Sequence, residues 1–125
     1  MTTYLIDSDI LMDFFKKKKE AVNLILELDG KGELAASILS ITELRSGWTV
    51  RETEFFLPRL YKLMLIWEIT REIAELAGKF RQEYKSKGIL LPVIDVLIAS
   101  TAIVSGSELV TRNKKDFPMP EIKFY

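Results

Sequence analysis

A chain of 125 residues, 48% hydrophobic and 29% charged, has room for one sizeable core and one domain spanning 1–125. It lacks both cysteine and histidine, which removes disulfides, thiol nucleophiles, Cys-ligated zinc, Ser-His-Asp triads, histidine-based ribonuclease chemistry and most transition-metal sites. Its 18 basic and 18 acidic residues cancel, so nucleic-acid binding would have to rely on local patches rather than a global basic field.

Tyr4, Leu5 and Ile6 read as a short buried strand ended by Asp7. Ser8 and Asp9 are good N-cap types for a helix carrying Ile10-Leu11-Met12 and Phe14-Phe15, with helical character running on through Lys16–Lys19. Asp7, Asp9 and Asp13 break the N-terminal apolar run, unlike a secretory leader, and no stretch approaches the roughly 20 apolar residues of a bilayer span. The expected setting is cytoplasmic, with no membrane partner.

A second helix is expected over 19–29, with Ala21, Leu24, Ile25 and Leu28 at helical spacing and Asp29-Gly30-Lys31-Gly32 ending it. Leu34, Ala35, Ile38 and Leu39 read as a second strand region, after which Ser40-Ile41-Thr42-Glu43 starts a third helix closing near Gly47. Thr49 to Lys62 reads as helix interrupted near Pro58, and Met64 to Ile69 as a strand. Ile69, Ile73, Leu76, Ala77, Phe80 and Tyr84 mark one face of a long amphipathic helix ending near Gly88. Pro92 suits a first helical position, and Val93 to Val104 is a mostly apolar helix stopped by Gly106. Glu108 to Thr111 and Ile122 to Tyr125 are two further short strands. Repeated strand–helix alternation implies an α/β fold, a single-domain three-layer sandwich with a central mainly parallel sheet flanked by helices.

The acids carry the functional question, and each has a plainer reading. Asp7 can cap the next helix, an effect of about 0.5–2 kcal/mol, and Asp9 can be a helix-start acid. Ser40-x-x-Glu43 fits a capping box, unless the same helix start aims Glu43 at the sheet edge. Asp95 sits among Val93, Ile94, Val96, Leu97, Ile98 and Ala99, a helix expected to be buried on most sides. A carboxylate there needs a lysine, an arginine or a cation as partner. Thr111, Asn113 and Asp116 follow the fourth strand, as a polar site loop or as an ordinary Asx-type turn.

Each acid lies where a strand ends or a helix begins, on the edge where parallel sheets bind ligands. Two carboxylates about 4 Å apart repel by roughly 4 kcal/mol at an effective dielectric near 20, so a convergent set calls for a divalent cation. Oxygen-only ligands select Mg²⁺ or Mn²⁺.

The set Leu5-Ile6-Asp7-Ser8-Asp9, Ile41-Thr42-Glu43-Leu44-Arg45-Ser46-Gly47, Ile94-Asp95-Val96-Leu97-Ile98-Ala99 and Leu109-Val110-Thr111-Arg112-Asn113-Lys114-Lys115-Asp116-Phe117 resembles the PIN-domain nucleases. In particular it resembles the small VapC-type toxins of toxin–antitoxin pairs. The resemblance covers nearly the whole chain, and its specificity lies in the ordered set rather than in any one motif. It implies Mg²⁺- or Mn²⁺-dependent endonucleolytic hydrolysis of RNA, with Asp7, Glu43 and Asp95 as the family's three acids and Asp116 at the later acidic position. Asn113 stands where relatives often carry an acid, and Asp9 departs from the small polar residue often found there. On this hypothesis the cation is held chiefly by Asp7 and Asp95, Glu43 orients water or a second cation, Asp116 and Asn113 complete the outer shell, and Thr111 holds a carboxylate.

Arg112, Lys114, Lys115 and Arg45 are candidate phosphate contacts, each also readable as solvated surface charge. Trp48, Phe55, Phe56, Leu57 and Tyr61 exceed what one helix face needs, for core packing or for a partner surface. The resemblance implies a homodimer and a small antitoxin that covers the site. Two alternatives remain at this point: a non-catalytic RNA- or protein-binding module on the same fold, and a phosphatase with an aspartyl nucleophile.

Overall fold

The computed structural model describes all 125 residues. Five parallel strands, β1 (Thr3–Ile6), β2 (Glu33–Ser37), β3 (Leu65–Trp67), β4 (Glu108–Val110) and β5 (Lys123–Phe124), form one sheet in the order β3-β2-β1-β4-β5. Between them run α1 (Ser8–Phe15), α2 (Lys19–Asp29), α3 (Ile38–Gly47), α4 (Val50–Leu63), α5 (Arg71–Ser86) and α6 (Val93–Ser105), with a 3-10 turn η1 (Lys114–Asp116) before β5. No helix is long and apolar enough to cross a membrane.

Strand alternation builds two cores, one on each sheet face. Tyr4, Ile6, Leu34, Ala36 and Val110 pack toward α1–α4, with Leu11, Ile25, Leu28, Leu44 and Leu60. Leu5, Ala35 and Leu109 point the other way, onto Ala77 and Phe80 of α5 and Val96, Ala99 and Ala102 of α6. The chain leaves β1 toward β2 and β3 and later returns to place β4 on the other side of β1. The strand order therefore reverses at β1/β4, opening a crevice at their C-terminal ends where such sheets bind ligands.

Several local expectations are corrected. The cap of α1 is Asp7, whose side chain accepts from the Ser8 N–H, so Ser8 already lies in the helix. That helix stops at Phe15 rather than continuing through the lysines, because Lys17 takes a left-handed φ of 60° before α2 starts. Ser37, not Ser40, caps α3, and Ile38 and Leu39 are helical rather than extended. The capping box is instead formed by Thr49 and Glu52 at the start of α4. Pro58 lies inside a continuous α4: it is exposed, so the carbonyl it leaves unbonded faces water, while fully buried Leu60 holds the helix down. Pro92 is the cap of α6 rather than its first residue, and Gly106 ends the helix at φ 69° as expected. The first turn of α6 is also less buried than its composition suggests: Val93 and Ile94 are exposed, and full burial begins at Val96.

Candidate active site

Asp7 stands one residue beyond β1, where its N–H donates to Val110 O at 3.0 Å and carries the β1–β4 ladder one step past the strands. Both its carboxylate oxygens are held. Oδ1 accepts from the Ser8 N–H at 2.8 Å, and Oδ2 accepts from the Thr111 hydroxyl at 2.9 Å, across 104 positions of chain. Thr111 in turn accepts from the Asn113 N–H at 3.1 Å. Thr111 thus holds the Asp7 carboxylate on one side and the loop after β4 on the other. Burial nonetheless pushes the Asp7 carboxyl above its ordinary range, outweighing these hydrogen bonds, with a further push from Asp9 and Asp116.

Glu43 is exposed on α3, and its Oε1 accepts from the Ser8 hydroxyl at 2.6 Å. With Ser37 as the cap of α3, Ser40 and Glu43 form no capping box. Asp95, half-buried in the first turn of α6, is also raised, first by burial and then by repulsion from Asp116, Asp7 and Glu43. Acids from β1, α3, α6 and η1 therefore feel one another at one edge of the sheet. Asp95 and Asp116 line a cavity of about 340 Å³ with Leu91, Pro92, Lys115 and Pro118. Asn113 caps η1 through its backbone carbonyl, which accepts from the Asp116 N–H at 2.9 Å, while its side chain makes no capping bond. Asp9 is exposed and bears on the site only through its repulsion of Asp7.

No ion pair reaches these acids. The three in the molecule join Asp13 to Lys18 and Arg112, and Glu27 to Lys31. The neutralising lysine or arginine considered for Asp95 is therefore absent. The convergence is nevertheless looser than expected, because no three of the acids gather tightly enough to enclose a metal ion. Glu43 and Asp116 end in solvent, where mutual repulsion is cheapest to relieve. The donor chemistry still fits Mg²⁺ or Mn²⁺: all donors are oxygen, and Mg²⁺ typically takes one or two carboxylates and keeps several waters.

The basic candidates divide. Arg112 donates to Asp13 at 2.7 Å, tying the loop after β4 to α1. Lys114 lies 5.6 Å from the Phe124 ring centroid. Lys115 borders the cavity beside Asp95 and Asp116, and Arg45 is exposed in the last turn of α3. Of the aromatic surplus, Trp48 is buried against Phe15 and Phe56, and Leu57 packs on the core edge. Phe55 and Tyr61 stay exposed. An open apolar groove of about 480 Å³ runs between α1 and α4, lined by Phe14, Phe15, Val22, Phe55, Phe56 and Leu63 and flanked by Lys17 and Arg59.

Two buried serines escaped the reading from sequence. Ser8 and Ser40 each look like a helix cap, yet Ser8 Oγ lies 3.0 Å from Ser40 Oγ as well as against Glu43. The available signal was that two polar side chains sit within apolar segments of two different elements.

The sequence profile of the PIN domain matches residues 4–122. Ribonuclease VapC19 of Mycobacterium tuberculosis is 37% identical over 117 residues, covering 92% of this chain and 92% of that protein. Among solved structures, a toxin–antitoxin complex from Klebsiella pneumoniae superposes with a TM-score of 0.76 at 31% identity, over 95% of this chain and 94% of that one. VapBC2 from Rickettsia felis, bound to a DNA fragment from its promoter, superposes with a TM-score of 0.86 at 24% identity, over 99% and 98% of the two chains, a likeness of fold.

Proposed function

We propose that this chain, which belongs to the PIN-domain family, is a divalent-metal-dependent endoribonuclease and the toxin of a pair with a small antitoxin protein. The observation that carries the reading is the set Asp7, Glu43, Asp95 and Asp116, brought within mutual electrostatic reach and left without a single cationic partner. Such a set is poorly explained by stability, because uncompensated carboxylates weaken the fold that holds them.

Asp7 and Asp95 are the residues that would hold Mg²⁺ or Mn²⁺. A cation bound there supplies Lewis acidity toward a phosphoryl oxygen and acidifies water for attack on phosphorus. The Ser8 and Thr111 contacts keep Asp7 from rotating while leaving each of its oxygens a free lone pair. Glu43, with Oε1 held by Ser8, would use its other oxygen to orient a water or a second cation. Asp116 and Asn113 stand in the outer shell. Lys115, at the border of the cavity, would meet a flanking phosphate, and Lys114 and Arg45 are further candidates. An aspartyl phosphatase would need a dedicated lysine beside Asp7, whereas no lysine pairs with it.

The test is cleavage of a structured RNA with Mg²⁺ or Mn²⁺, comparing the wild type with Asp95→Asn. The variant is expected to lose at least about a hundredfold in rate, the scale of the charge stabilisation a metal site provides. Equal cleavage by both, or none by either, ends this reading, and metal binding without cleavage favours the non-catalytic module. For the partner, the α1–α4 groove offers apolar lining with basic edges, suited to an amphipathic acidic segment of the antitoxin. Size measurement with and without that protein tests both the complex and the homodimer that the family resemblance implies.

A further inference from the structure

We infer that Ser8 is a positioning residue that registers Glu43 of α3 against Asp7 of the β1 edge, an inference that rests on the nuclease reading above. Ser8 is buried, 7% exposed, yet it touches two acids. Its backbone N–H donates to Asp7 Oδ1 at 2.8 Å, and its hydroxyl meets Glu43 Oε1 at 2.6 Å, 35 positions along the chain. That second distance is typical of a hydroxyl bonded to a charged oxygen.

Behind Ser8 lies the hydroxyl of Ser40, fully buried and 3.0 Å away. A serine has one proton to donate, so the two contacts compete for it. The carboxylate is the stronger and nearer acceptor, at 2.6 Å, and Ser40 Oγ at 3.0 Å is the weaker one. Ser40 and Glu43 are successive positions on one face of α3, with the Ser8 oxygen between them.

Satisfying a buried hydroxyl does not require this arrangement, since Ser40 alone would give Ser8 a partner. Nor does Glu43 require it, because an exposed carboxylate is well solvated by water. The consequence of the contact therefore falls on where Glu43 points. A long, exposed side chain with several rotamers is held in the one that keeps Oε1 beside the α1 N-terminus, next to Asp7. Ser8 thus links the two acids directly, one through its main chain and one through its side chain.

Calorimetric titration of the RNA-free protein with Mn²⁺ tests this without relying on cleavage. Ser8→Ala and the nearly isosteric Ser8→Cys, a weak donor, are expected to weaken Mn²⁺ binding by about tenfold or more, the usual effect of removing a group that orients a ligand. Ser8→Thr, which keeps the hydroxyl, is expected to stay near the wild type. In a Glu43→Gln background, Ser8→Ala is expected to add almost nothing, because its effect passes through Glu43. Should Ser8→Ala fail to fold by circular dichroism in EDTA, Ser8→Cys carries the comparison. Folded Ala and Cys variants that bind Mn²⁺ like the wild type overturn the inference, as do additive losses in the Glu43→Gln background. A wild type that binds no Mn²⁺ removes the metal reading itself, and this inference with it.

Discussion

Asp7 caps the start of α1 and Asp13 sits in its last turn, but their surroundings are opposite. Asp13 receives Arg112 at 2.7 Å and Lys18 at 3.4 Å, and the hydrogen bond from Arg112 leads in holding its carboxyl below the ordinary range. Asp7 receives no cation, and burial pushes it the other way. Asp95 is treated like Asp7. With 18 lysines and arginines in the chain, the fold had cations available for every one of these acids. Two of them, Lys18 and Arg112, meet Asp13 at the far end of α1, and none pairs with an acid of the β1/β4 crevice. One short helix thus separates a carboxylate that braces the fold from one whose cost is borne for another purpose.

The largest effect expected from this contrast is on catalysis. Asp7→Asn preserves the cap, since asparagine caps as well as aspartate, and is expected to lower RNA cleavage by at least about a hundredfold. Asp13→Asn, at the other end of the same helix, is expected to stay near the wild-type rate. Equal losses in a cleavage assay would erase the distinction.

Next comes Thr111→Val, which strips Asp7 Oδ2 of its donor and the Asn113 N–H of its acceptor. Mn²⁺ binding is expected to weaken about tenfold, with a loss of roughly 1–3 kcal/mol in chemical denaturation.

A third test turns on sign. For Asp7 and Asp95 the native pKa lies above the unfolded one, so the native state binds more protons between the two values. Their contribution makes metal-free stability rise as pH falls through the raised native values. At neutral pH in EDTA, Asp7→Asn and Asp95→Asn are therefore expected to raise the thermal midpoint, by about 2–4 °C. For Asp13 the sign reverses: its contribution is present above the ordinary value of 3.8 and is lost as pH falls through the depressed native value. A midpoint lowered by Asp7→Asn in EDTA would mean that its carboxylate stabilises after all.

The smallest effect belongs to Arg112→Ala, whose ion pair with Asp13 is partly exposed. A slight drop in midpoint at low salt, vanishing at high salt, is the expected result in a salt series of melts.

Much of the architecture was legible because it depends on local patterns. The span of α2 follows from Ala21, Ile25 and Leu28 with Gly30 behind them, and the end of α6 from the left-handed Gly106. Where two local signals competed, the tertiary structure chose. Ser37 and Ser40 are equally good cap types, and β2 decides between them by staying paired with β3 as far as Ser37, opposite Trp67. Asp9 and Asp116 are both exposed, Asp116 lining the cavity beside Asp95, and the acids form an open arc rather than a closed shell.

From composition and order alone, the chemistry was bounded: without histidine or cysteine, function had to rest on oxygen donors, and the acids were spaced at strand ends and helix starts. Only the folded chain decided which groups hold them, Thr111 on Asp7, Ser8 on Glu43, and Arg112 on Asp13. The reason is range. Helical and strand periodicity reports on neighbours a few positions apart, whereas a hydrogen bond of about 3 Å between residues far apart in the chain exists only once strand order has brought β4 beside β1.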